Sequence, residues 1–168
     1  ALTYYRPHYS GLTIYSERQA RALAARGHEV TILTSRFDHS LPGEEMRDGV
    51  RVIRLDVGLH ISKGVIMPAM PLRAWKLVRQ AEVVNLHVPQ FDAALLALYA
   101  RLQGKPVVLT YHCDLHLPHG FVHAIANRVS NLANHITAGL AQVVVHNTRD
   151  YAENSPFLRN YLGKLVPI

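Results

Sequence analysis

The chain has 168 residues, 49% of them apolar, which suits one domain with a sizeable core spanning residues 1–168. A formal net charge of +6 points to anionic partners such as phosphate, acidic lipid or nucleic acid, although the basic residues are scattered. No apolar run reaches the about 18 to 20 residues that a bilayer span needs, no signal peptide is visible, and the single cysteine, Cys113, cannot form an internal disulfide, so a reducing, cytoplasmic setting is expected.

The opening stretch, Tyr4-Tyr5-Arg6-Pro7-His8-Tyr9-Ser10-Gly11-Leu12-Thr13, reads as the junction between a strand and a helix. A helix N-terminus there offers N–H groups and a positive dipole end to an anionic group. Gly11, lacking a Cβ, lets backbone approach a ligand closely. The spacing of Ser16, Ala20, Leu23, Ala24 and Gly27 predicts a helix over Thr13–Arg26 with a small-residue face. Gly27 suits its end. His28–Thr34 follows as a β-branched, buried strand, completing a βαβ unit with parallel strands.

Ser35–Gly49 is polar, with Pro42-Gly43 and Asp48-Gly49 as turn signals. Val50–Leu55 alternates loosely and reads as a strand nearer an edge. Gly58–Met70 is apolar but broken by Gly64 and Pro68, and Pro71–Gln80 is a short helix carrying Trp75. Glu82–Val88 is the next strand. Asp92 is placed to cap a helix over Ala93–Leu102, apolar on nearly all sides, with Gly104 ending it. Pro106–Tyr111 is a central strand running into His112-Cys113-Asp114. From Phe121, Val122, Ile125, Val129, Leu132, Ile136 and Leu140 step by three or four, an amphipathic stripe whose opposite, outer face is rich in Asn and His. Gln142–Val145 is a short buried strand, Asn147 is placed to cap a helix from Thr148, and Ser155-Pro156 opens another that Gly163 closes.

The tally of about six or seven strands alternating with helices is a doubly wound α/β fold, a mainly parallel sheet with helices on both faces. It carries neither GxGxxG nor GxxxxGK[ST], so neither a dinucleotide fingerprint nor a P-loop is present. The chain begins at Ala1 with only Ala1–Tyr4 left for a first strand, and it stops at Leu165–Ile168, inside or just after another; both ends suggest a domain excised from a longer protein. In a parallel sheet the carboxyl ends of the strands share one rim. Tyr9-Ser10-Gly11, His87, His112, Asp114, Asn147 and Thr148 all fall at such ends. Each alone suits a turn or cap; together they predict a site.

Pro7-His8-Tyr9-Ser10-Gly11 followed by Leu23-Ala24-Ala25-Arg26-Gly27-His28-Glu29-Val30-Thr31-Ile32-Leu33-Thr34 resembles the start of a family-4 retaining glycosyltransferase with the GT-B fold. Asn85-Leu86-His87 resembles its his-x-his strand end. Gly104–His112 resembles its strand ending in an active-site histidine, and Val145–Tyr151 the segment before its final strand. The resemblance implies two Rossmann-like domains facing a cleft, with this chain the N-terminal, acceptor-side one and the C-terminal, donor-binding one absent. It implies a nucleotide-sugar donor, a glycan or lipid-linked acceptor and no further cofactor. It places Ser10 and Gly11 at the donor's sugar-diphosphate end, Thr13 on the acceptor side and His112, the expected catalytic group, beside the transferred sugar. Tyr9, His87, Asp114, Asn147 and Thr148 are then assigned to the acceptor. Ser10-Gly11 stands where the family usually has two adjacent glycines, and Asn85 where it often has histidine. The isolated domain is expected to be inactive.

Two rival readings fit parts of the sequence. The loop His112–His119 gathers potential metal ligands and would suit a metal-binding, hydrolase-like α/β domain, but no second cluster accompanies it and its histidines also suit sugar hydroxyls, so no metal is assigned. A non-catalytic module holding nucleic acid would need a basic stripe interleaved with aromatics, which is not seen, so no nucleic acid is expected. Ile61–Lys76 mixes apolar residues, Trp75 and basic residues, as a peripheral contact with the inner face of a membrane would; the alternative is that Ile66, Met67, Leu72 and Trp75 pack on the sheet.

Overall fold

A computed structural model describes residues 1–61, 64–114 and 121–168, with backbone only for 121–126. The chain divides into two compact units, Ala1–Met70 and Pro71–Ile168.

In the first unit, helix α1 (Gly11–Ala24) precedes strand β1 (Val30–Arg36), which pairs in parallel with β3 (Val50–Asp56) from Val30↔Val50 to Arg36↔Asp56. The segment before α1 is not a regular strand, yet it lies along β1: Leu2 N–H donates to the Leu33 carbonyl (3.2 Å). The Thr3 carbonyl accepts from Ser35 N–H (3.1 Å), Ser35 Oγ (2.6 Å) and Thr34 Oγ1 (3.1 Å). Those bonds explain two fully buried hydroxyls at 34 and 35. Leu2, Tyr5, Ala20, Ile32, Val50 and Val52 form the core.

Val50–Asp56 is not at the edge, as its loose alternation suggests. It lies between β1 and an antiparallel edge strand, β2 (Glu44–Arg47). Asp48 (φ 50°) and Gly49 (φ 78°) turn the chain between Arg47 and its partner Val50. Positive φ at both positions is the type I′ turn that Asp-Gly favours in hairpins. The edge strand is charged, and its carboxylates hold β3: Glu44 pairs with Arg51 (2.7 Å) and Glu45 with the buried Arg54 (2.6 Å). Arg54 also donates to the carbonyls of Pro42 and Arg6. A second hairpin, β4 (Leu59–Ile61) with β5 (Gly64–Ile66), occupies part of the broken apolar stretch.

The second unit runs α2 (Met70–Gln80), β6 (Val84–Val88), α3 (Ala93–Leu102), β7 (Val107–Tyr111), α4 (Phe121–Leu140), β8 (Val143–His146), α5 (Arg149–Asn154), a 3₁₀ helix (Leu158–Lys164) and β9 (Leu165–Pro167). Its sheet is wholly parallel in the order β6-β7-β8-β9. Strands joined through helices in one parallel sheet make this a Rossmann-like α/β fold. The strands are near-continuous apolar runs, as double-sided burial requires; Leu86, Val88, Val107, Leu109 and Val144 are fully buried.

Helix α4 turns the opposite way from its apolar stripe. Ser130, Asn134, Thr137 and Ala138 are buried, while Val129, Leu132 and Ile136 are 54%, 63% and 44% exposed. α3 packs against α4 and itself buries Ala93, Ala97 and Ala100. Small residues on both sides let two backbones approach closely. Thr137 makes this possible by donating its hydroxyl to the Ala133 carbonyl (2.7 Å). The side chains of Val122 and Ile125 lie outside the described set. α3 is not enclosed on every side either, since Leu98 and Leu102 are exposed.

Candidate active site

In the first unit, α1 begins two residues earlier than its periodicity predicts, because Ser10 is its N-cap. Ser10 is extended (φ −154°), and its Oγ accepts from Thr13 N–H (3.2 Å) and bonds Thr13 Oγ1 (2.9 Å). Thr13 is fully buried, its hydroxyl shared between Ser10 and the Tyr4 carbonyl (3.4 Å). The serine thus has a local reason to stand before Gly11. Gly11 is the first helical residue and is exposed; a Cβ built on it meets nothing within 4 Å, so there is open space above this turn. The first intrahelical bond runs from Ile14 N–H to the Ser10 carbonyl (3.0 Å), and the N–H groups ahead of it have no partner within the helix. Tyr9 is exposed, with the Arg6 guanidinium 4.1 Å from its ring centroid, and Arg6 also pairs with the buried Glu17 (3.2 Å). His8 stacks on Tyr4 at 4.9 Å, with Phe37 edge-on to both.

In the second unit, three histidines stand at the carboxyl ends of consecutive strands: His87 on β6, His112 just past β7 and His146 on β8. His112 N–H donates to the Val88 carbonyl (3.2 Å), which extends the β6–β7 ladder by one residue. His87 Nδ1 and His112 Nε2 are 3.0 Å apart, and the rings lie nearly parallel, 5.3 Å between centroids. Burial pulls the pKa of His87 down to about 2, reinforced by His112. Burial, then the neighbouring His146, pulls His112 down to about 4. Both rings are neutral at physiological pH. His112 is half-buried and therefore reachable; His87 is 3% exposed.

Asp114 is anchored. Its carboxylate accepts from the hydroxyls of Tyr111 (2.8 Å), Tyr151 (2.8 Å) and Ser155 (3.0 Å to each oxygen), while its N–H donates to Tyr151 Oη (3.2 Å). Burial, followed by the bond to Asp114, raises the pKa of Tyr111, which stays a donor. Thr148, not Asn147, caps α5: its Oγ1 accepts from Tyr151 N–H (3.2 Å), and Asn147 is exposed beside it. His146 Nδ1 accepts from Thr148 N–H (3.2 Å), and its ring stacks on Tyr151 at 4.3 Å. Asp92 precedes α3 in the helical region of backbone space and makes no side-chain cap bond. Burial raises its carboxyl to about 6.

His146, Tyr151 and Ser155 join this region without being among the residues that strand-end position and resemblance assign to the site. Only the strand-end position of His146 was a usable signal; the other two reach Asp114 from 37 and 41 residues away. Of the loop offered as a metal site, Leu115–Gly120 lie outside the described residues. Among the described residues no group of three or more His, Cys, Asp or Glu side chains is placed to hold a metal ion.

The second unit holds a neutral, fixed imidazole at the end of a central strand. The first, taken by itself, holds a capped helix start with an exposed glycine. Each is a hydrogen-bonding or electrostatic element suited to a polar group. No curated protein matches the chain. The family model described as the glycosyl transferase 4-like domain matches residues 10–159, and the chain accordingly belongs to that glycosyltransferase family.

Proposed function

We propose that this domain is the acceptor-side half of a retaining hexosyltransferase that moves a sugar from a nucleotide-sugar donor to a glycan or lipid-linked acceptor. The observation that carries this reading is His112, half-buried, neutral and held in place at the end of β7 by a backbone bond and a ring partner. A neutral imidazole can donate to or accept from a sugar hydroxyl without placing a positive charge beside an oxocarbenium-like centre. In this reading Ser10 shapes the α1 turn, and Gly11 with the first N–H groups of the helix faces the departing diphosphate, where the dipole end favours negative charge. Tyr9, Asn147 and Thr148 are exposed, and they stand on the acceptor side. Thr13 and Asp114 contribute by holding Ser10 and the His112 loop.

Donor binding depends on a second domain in this reading, so these residues alone turn over no sugar nucleotide. In the enzyme containing both domains, His112→Ala should lower kcat by about 10² or more, as expected for an interaction made mainly in the transition state, with only a modest fall in melting temperature from the lost bond to His87. Steady-state kinetics over a panel of nucleotide sugars, with a melting curve beside them, provide the check. Unchanged turnover removes His112 from the site; a large drop in melting temperature returns it to the core.

The same reading places the enzyme at the cytoplasmic face of a membrane. Leu72 and Trp75 on α2 are 65% and 39% exposed, among the exposed Arg73, Lys76 and Arg79. No helix among the described residues is long and apolar enough to cross a membrane.

A further inference from the structure

His87 and His112 form one of two polar rungs on the same face of the β6–β7 pair. Side chains two apart on a strand share a face. Asn85 and His87 therefore lie together, between the buried Val84, Leu86 and Val88 of the other face. Opposite them on β7, Thr110 pairs in register with His87. The lower rung is Thr110 Oγ1 donating to Asn85 Oδ1 (3.0 Å); the upper is His87 Nδ1 with His112 Nε2, also 3.0 Å. Each rung leans one step along the sheet toward the strand ends, and the upper one ends on the residue placed beside the transferred sugar.

We propose that His87 is a positioning residue that fixes the ring plane and tautomer of His112, and that it acts on the transferred sugar only through His112. Two nitrogens at 3.0 Å share one proton, so one ring donates and the other accepts. Whichever nitrogen holds it, the tautomers of the two rings are linked. A second proton would set donor against donor. Near-parallel planes at 5.3 Å restrain ring rotation as well. The alternative, that His87 itself touches the acceptor, sits poorly with a side chain only 3% exposed. An apolar residue of similar volume would fill the space but leave His112 Nε2 without this bond.

This proposal rests on the reading of His112 as a sugar-contacting group, and the test separates the two. In the intact enzyme, His87→Leu should lower kcat by about 10²-fold, the loss expected from misplacing one group, with acceptor KM within about twofold of wild type. His87→Asn, whose Nδ2 takes the place of Nδ1, should recover most of the activity. In ¹⁵N-histidine-labelled protein, the tautomer populations of His112 should differ between the wild type and His87→Leu. An unchanged tautomer with unchanged kcat overturns the proposal, as does a loss confined to KM, which would make His87 a substrate contact. If His87→Leu does not fold, a through-bond ¹⁵N–¹⁵N coupling between the two rings of the wild type, together with the kinetics of His87→Asn, decides. Absence of that coupling, or Asn acting as a null, overturns the proposal. If no sugar nucleotide is turned over by the wild type, the parent reading fails, and the tautomer shift alone then supports or overturns the role of His87.

Discussion

Asp114 shows how much of a loop's position a single carboxylate can set. It follows His112 by two residues and gathers hydroxyls from Tyr111, Tyr151 and Ser155. Ser155 Oγ in turn accepts from Phe157 and Leu158 N–H, so the same contact fixes the start of the 3₁₀ helix. Tyr111 is buried, and its ring stacks on Phe157 at 4.6 Å, so its hydroxyl cannot turn to solvent if the carboxylate is lost. An orphaned buried hydroxyl costs about 1–3 kcal/mol. Asp114→Ala should therefore destabilise the protein by about that amount in urea unfolding, with Asp114→Asn losing less because one acceptor oxygen remains. A change below about 0.5 kcal/mol, the range of ordinary surface substitutions, would mean that Asp114 is not an anchor. The sequence marks Asp114 as a strand-end residue, but its partners come from separate elements and no local pattern announces them.

The elements differ sharply in how legible they are. The apolar runs predict strands over Glu82–Val88, Pro106–Tyr111 and Gln142–Val145, and β6, β7 and β8 lie at Val84–Val88, Val107–Tyr111 and Val143–His146. Buried parallel strands are continuous apolar runs, a signal that survives without knowledge of neighbours. β2 is hidden for the converse reason: an edge strand is charged, and Glu44-Glu45-Met46-Arg47 reads as loop until Asp48-Gly49 is taken as a hairpin turn. α4 misleads more deeply. Its existence follows from the 3.6-residue period, but its orientation is set by the need of α3 and α4 to approach closely through small residues, which an apolar stripe does not reveal. The two orientations predict opposite mutational patterns. Ala138→Leu should overpack the α3–α4 contact and cost about 1–3 kcal/mol, whereas Leu132→Gln should stay within about 0.5 kcal/mol. Thermal melts of the two variants discriminate; the reverse order would restore the stripe to the core.

At the scale of the molecule, three of the 18 lysines and arginines lie on α2. Its buried side is Met70, Ala74 and Val78, four residues apart, so Leu72, Arg73, Trp75, Lys76 and Arg79 are left on the outside with no acidic residue among them. Trp75 is not loose: its ring meets Tyr99 edge-on at 5.1 Å, and its carbonyl accepts from Gln103 (3.3 Å). Of the four residues expected to pack on the sheet, Met67 is buried, while Ile66, Leu72 and Trp75 are 42%, 65% and 39% exposed. An exposed tryptophan and leucine on the same helix as three exposed cations suit the membrane contact proposed above. Three basic residues near such a surface contribute about 1 kcal/mol each at low salt, a term that shortens with the Debye length as salt rises, while the apolar term does not. The two terms therefore separate by experiment. In flotation assays the intact enzyme should bind vesicles containing anionic lipid and not purely zwitterionic ones. Arg73→Ser with Lys76→Ser should remove most of the salt-sensitive part, and Leu72→Ser with Trp75→Ser should weaken binding at every salt concentration. Vesicle binding unchanged by all four substitutions, or no binding to either vesicle, would take the membrane off this face of α2 and leave the acceptor to be sought among soluble glycans.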